Sequence, residues 1–92
     1  MSSSDFEERV ITVSLSDARR ESKSKRADKS LSIVRAHLAK HFSVPEDAVR
    51  LDPSINEEIW SRGRSNPPSE VRVRAARFEE EGEGVVEAEI AE

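Results

Sequence analysis

Three arginines, Arg72, Arg74 and Arg77, fall within six residues of a segment, Glu70 to Glu79, that alternates apolar and polar. In a strand, Val71 and Val73 on a core-facing side force Arg72 and Arg74 out together on the other. Two such cations sit about 6.5–7 Å apart, close to the spacing of successive phosphates along a nucleic-acid strand. Arg62 and Arg64 flank Gly63 a little upstream, and Asn66 follows them. A second concentration, Arg19, Arg20, Lys23, Lys25, Arg26 and Lys29, places six cations in eleven residues. It leads into a helix N-terminus, where phosphates are favoured by the helix dipole. Each cluster has a plainer alternative. The strand arginines could pair with Glu83, Glu87 or Glu89 on a neighbouring strand, and the basic run could be a solvated loop. Readers of single strands usually display several exposed aromatics. Here only Phe6, Phe42, Phe78 and Trp60 occur, and Phe42 falls on a core stripe. The chemistry points to phosphate and shape recognition of folded RNA, with Trp60 the one stacking candidate.

Catalysis finds little support. His37 and His41 form an i, i+4 pair that could hold a metal from one helical face. No glutamate follows His37 in the HExxH manner and no third ligand is evident. Ser22 and Lys25 match S-x-x-K, but such a match is cheap in a Ser/Lys-rich stretch and its partner motifs are missing. The only glycines are Gly63, Gly82 and Gly84, so no glycine loop can cradle a phosphate. Without cysteine there is no disulfide framework, thiolate nucleophile or cysteine-ligated metal. The expectation is a protein with no catalytic residues, no cofactor and no metal.

The 92 residues fit one domain. Val, Ile, Leu and Phe number 21, about 23% of the chain, just above the roughly 20% below which charged chains are usually disordered. A small folded body that gains stability from a partner is expected. No apolar run approaches the roughly 18 residues of a membrane span, and no signal-peptide pattern opens the sequence; a soluble, intracellular protein is expected. The net charge of −4 hides three blocks: −3 over residues 1–18, +6 over 19–77 and −7 over 78–92. A basic middle between acidic ends suits a polyanion-binding surface in an otherwise acidic protein. Arginine outnumbers lysine eleven to four, which together with the acidity suggests a salty cytoplasm. At 1 M salt the Debye length is only about 3 Å. Binding there must rest on short, directional contacts, for which arginine's fork is better suited than lysine's point charge. The plainer alternative is that the arginine excess merely reflects genomic base composition.

The elements that must position these groups are legible from periodicity. Residues 1–7 read as a flexible start and 91–92 as an acidic end around a single domain, 8–90. Glu8 to Leu15 alternates as a half-buried strand, with Ile11, Val13 and Leu15 toward the core. Residues 16–25 hold nothing apolar larger than alanine and predict a loop or one helical turn. Ala27, Leu31, Val34, Leu38 and Phe42 form the stripe of a helix over Arg26–Phe42, which Val44-Pro45 ends. Ala48 to Leu51 is extended. A short helix follows, with Ser54 capping, Glu57 reaching back, Ile55 and Ile59 sharing a face, and Gly63 closing it. Asn66-Pro67-Pro68-Ser69 links to the arginine strand. Glu80 to Gly84 turns, and Val85 to Ile90 returns as the antiparallel partner. The fold class expected is α+β: a mixed or antiparallel sheet, one long and one short helix, and a C-terminal hairpin.

Three blocks together resemble a known family. They are Lys25-Arg26-Ala27-Asp28-Lys29, then Val49 to Asn56 with Trp60-Ser61-Arg62-Gly63-Arg64, and Val71 to Arg77. In order and spacing, from about Glu8 to Ile90, they are similar to large-subunit ribosomal protein thirty-one of archaea and eukaryotes, the e-type family. The resemblance implies a non-enzymatic structural constituent of the large ribosomal subunit, lying on its rRNA near the polypeptide exit tunnel. Its partners would be large-subunit rRNA and neighbouring ribosomal proteins, in the cytoplasm, with no membrane and no homo-oligomer. Carried over by position, Arg26, Trp60, Arg62, Arg64, Asn66, Arg72, Arg74 and Arg77 lie in RNA-facing segments. Glu70 stands where relatives commonly have a basic residue, which weakens an RNA contact there. The acidic stretch after Phe78 fits a halophilic archaeal member. Two other classes remain open: a free-standing RNA- or DNA-binding regulator, and a protein-interaction module whose arginines are internal ion pairs.

Overall fold

The computed structural model describes residues 6–61, 63 and 66–91, and of Phe6 only the backbone. Strand β1 spans Phe6–Ser14, helix α1 Arg26–Phe42, strand β2 Val49–Leu51, helix α2 Pro53–Trp60, strand β3 Glu70–Glu80 and strand β4 Glu83–Ile90. The sheet order is β1-β3-β4-β2. β3 is antiparallel to both β1 and β4, while β2 runs parallel to β4. The sheet is therefore mixed: the β3–β4 hairpin fills the space between two edge strands that α1 connects.

One sheet face and both helices close a single core. Val13, Val71, Val73, Ala75, Val86, Ala88 and Val49 meet Ala27, Val34, Leu38 and Phe42 of α1 and Ile55 and Ile59 of α2. Ile55 and Ile59 are wholly buried, as the shared face of a short helix requires. Among the described residues, no helix lies on the opposite sheet face.

Several local signals act differently from the sequence reading. β1 starts at Phe6, two residues before the expected Glu8. α1 ends because Ser43 turns left-handed (φ 58°) and the Val44 N–H closes back onto the Ala39 carbonyl at 3.0 Å. Pro45 lies beyond that closure, a usual place for proline after a helix end. The cap of α2 is Asp52, not Ser54: its carboxylate accepts the Ser54 N–H at 2.9 Å, with Pro53 in the first turn. Ser54 Oγ instead accepts the Ile90 N–H at 3.1 Å, tying α2 to the end of β4. The hairpin turn is only Glu81-Gly82, both at positive φ (54° and 83°), so β4 begins at Glu83 rather than Val85. That pair of angles matches strand twist, the usual solution for a two-residue hairpin.

Residues 16–25 fold as two 3-10 turns, Ser16–Arg20 and Lys23–Lys25, anchored by a fully buried Ala18. Edge strand β2 is also covered, because Arg35 of α1 donates from Nη1 to the Val49 carbonyl.

Candidate nucleic-acid interface

The strand register decides which side chains share the open sheet face. Arg72 stands opposite Thr12, and Arg74 stands between Val10 and Glu89. Ala76 lies between Glu8 and Glu87, and Arg50 of β2 is beside Glu87. Arg72 and Arg74 are exposed on this face, as alternation with Val71 and Val73 demands. Val10, 48% exposed, is an apolar platform beside Arg74.

The three arginines of this face are held to different degrees. Arg50 is fixed by two carboxylates, Glu80 at 2.7 Å and Glu87 at 3.3 Å. The hydrogen bond and charge of Glu80 raise the Arg50 pKa above its ordinary value, and Arg50 in turn holds the Glu80 carboxyl below the usual range. Arg74 reaches Glu89 only at 3.5 Å, with both side chains about half exposed. The Arg72 side chain has no hydrogen bond or ion pair among the described residues, and Glu83 takes up neither strand arginine. Internal pairing thus claims Arg50 fully, Arg74 loosely and Arg72 not at all. A shallow groove of about 200 Å³ runs along this boundary, lined by Arg74, Ala76 and the carboxylates of Glu8, Asp52, Glu87 and Glu89. Asp52 is itself held below the ordinary carboxylate range by its hydrogen bonds from Ser54.

The basic run forms a preshaped lobe. Arg19, Arg20, Lys23, Lys25 and Lys29 are exposed. Arg26 is half-buried and works inward, donating to the carbonyls of Glu21 (3.3 Å) and Arg19 (3.2 Å) and so bracing the 3-10 turns. The lobe begins where β1 ends, and the Leu15 N–H is bonded to the Ser69 carbonyl at 2.8 Å, beside the start of β3. Lobe and Arg72 therefore share one end of the sheet. The glutamate-rich hairpin turn lies at the other, about 30 Å from Arg72 along β3 at the usual rise per residue.

Other expected contacts are distributed differently. Arg77 does not join Arg72 and Arg74: three positions on from Arg74, it falls on the helix-bearing face. There it is half-buried and lies across Gly84, where a methyl group would come within 2.6 Å of Arg77 Nη2 and 3.2 Å of Val44 Cγ1. Trp60 is half-buried against the core rather than held out as a free stacking platform. Asn66 is exposed in the linker, its N–H on the Gly63 carbonyl at 3.4 Å. Arg62 and Arg64 lie outside the described residues. His37 and His41 are exposed on α1, with the His41 ring edge-on to Phe42 at 4.9 Å. Among the described residues no group of three or more His, Asp or Glu side chains is placed to hold a metal ion.

A sheet face with outward arginines, joined at one end to a braced cationic lobe, gives this small α+β module an exposed cationic surface. The chain belongs to the ribosomal protein L31e family, whose model matches residues 7–87. That family is one of ribosomal proteins, not enzymes. The large ribosomal subunit protein eL31 of Haloarcula marismortui is 72% identical over 92 residues, covering the whole of both chains. That of Natronomonas pharaonis is 72% identical over 89 residues, 97% of this chain and 99% of the relative. The protein of that name from Methanoregula boonei is 42% identical over 87 residues, 95% of this chain and 93% of its own.

Proposed function

We propose that this protein is a structural constituent of the large ribosomal subunit, binding its rRNA near the polypeptide exit tunnel alongside neighbouring ribosomal proteins. The observation that carries the rRNA contact is the open sheet face, where the Arg72 side chain has no partner among the described residues and Arg74 is only loosely held. The exposed lobe cations extend that surface around the same end of the sheet. Guanidinium forks suit phosphate oxygens where salt weakens long-range attraction, as expected of a protein whose relatives include those of halophilic archaea. The location at the tunnel rim rests on the family resemblance.

A protein-interaction module with arginines neutralised internally fits Arg50 but not Arg72 or the lobe. Sedimentation of a cell lysate tests the proposal: nearly all of the protein should travel with large subunits and leave only under stripping salt. Finding most of it in the soluble fraction overturns the proposal and favours a free-standing regulator.

A further inference from the structure

We propose that Glu89 is a specificity-determining residue of the arginine face, a carboxylate that RNA phosphate must displace from Arg74 before that arginine can bind. The inference rests on the rRNA-binding reading above and goes one step beyond it. On one sheet face, three arginines differ in what stands beside them. Among the described residues, Arg50 is clasped by two carboxylates, Arg72 by none, and Arg74 by one at the limit of contact, 3.5 Å. Glu89 is directly opposite Arg74 in the antiparallel register, so the pairing is built into the sheet rather than reached by chance. Beyond Arg72, β4 has ended, and the Ala91 N–H bonds the Arg72 carbonyl at 2.9 Å.

The physical consequence is graded competition. A single long contact between half-exposed groups is easily exchanged, whereas a phosphate can take both arms of the guanidinium. RNA that also engages Arg72 and the lobe gains enough to displace Glu89; a polyanion touching Arg74 alone meets a competing carboxylate. Glu87 and Glu89 line the groove on the β4 side of Arg74 and Glu8 of β1 lines it beside Ala76, so the footprint is confined to the part of the β1–β3 half that runs from Arg74 toward Arg72. Thr12 and Val10 lie beside the two arginines in that half.

The test is a double-mutant cycle on the full chain, with deproteinised large-subunit rRNA from the same cells as the probe. Affinities are measured at a KCl concentration where far-UV circular dichroism shows every variant folded. Glu89→Gln should tighten binding about two- to five-fold, the range that an exposed ion pair allows. That gain should vanish when Arg74→Ala is already present. Glu83→Gln, which removes the same charge at the hairpin turn, should give little or none of it. No gain in Glu89→Gln, a gain that persists without Arg74, or an equal gain in Glu83→Gln each overturns the role of Glu89. Those failures differ from failure of the rRNA reading, which would appear as parent-like binding by Arg72→Ala/Arg74→Ala.

Discussion

Replacing Arg72 and Arg74 together by alanine separates binding from folding more sharply than any other change. Both side chains project from the bare face, and the only interaction lost within the described residues is the 3.5 Å pair of Arg74 with Glu89. An exposed pair of that kind is worth about 0–1 kcal/mol, a melting-temperature shift of no more than about 8 °C for a domain of this size. On rRNA the loss is much larger. Two charge-assisted contacts at about 1.5–3 kcal/mol each come to roughly 3–6 kcal/mol, or about 10²- to 10⁴-fold in affinity. The lower part of that range is expected, because Arg74 must first leave Glu89. If each arginine neutralises a phosphate, the slope of log affinity against log salt also shrinks by roughly 1.4–1.8. Filter binding to large-subunit rRNA across a KCl series, with thermal melts followed by circular dichroism, reads both quantities. A folded variant that binds like the parent with the same salt slope refutes the reasoning, and a variant that fails to fold refutes the packing assigned to β3.

Three further outcomes test the scaffold. Ile59→Ala removes a fully buried side chain from beneath the sheet and should cost about 2–5 kcal/mol, seen as a lowered denaturation midpoint with unchanged slope. Gly82→Ala meets no atom within 4 Å but must hold φ near +83°, so backbone strain alone should cost about 1–2 kcal/mol in the same assay. Arg50 holds the Glu80 carboxyl below its ordinary value of 4.5. That contribution to stability is complete above pH 4.5 and disappears as pH falls through the lowered folded-state value. Glu80→Gln should therefore flatten part of the parent's loss of stability in acid, measured by urea denaturation from pH 6 to about pH 3; an unaltered profile contradicts the Arg50 pairing.

Period-2 and period-3.6 patterning made the large elements readable. α1 runs over Arg26–Phe42 as its stripe predicts, and Val71 and Val73 face the core while Arg72 and Arg74 face away. Where one backbone position had two competent neighbours, sequence was ambiguous. Asp52 and Ser54 can each cap a helix, and only the approach of β4, which supplies the Ile90 N–H to Ser54, separates their roles. The parity of Arg77 was readable and overlooked: an odd spacing from Arg74 puts it on the other face, where Gly84 leaves it room. Strand alternation also offered Arg50, which faces away from Val49 and Leu51. Its capture by Glu80 and Glu87 depends on β2 lying beside β4, a non-local pairing that no periodicity announces. The same holds for the lobe. Its composition suggested a loop or one helical turn, and one buried alanine and the inward bonds of Arg26 give it a defined shape of two 3-10 turns.

The most direct measurement is a high-resolution structure of the intact large subunit from the same cells, inspected at the guanidinium groups of Arg72 and Arg74. Both should lie within hydrogen-bonding distance of rRNA phosphate oxygens, with Glu89 turned away and the hairpin turn facing solvent. Finding the two groups directed into solvent or onto the protein's own carboxylates, with no nucleotide in reach, would contradict the account.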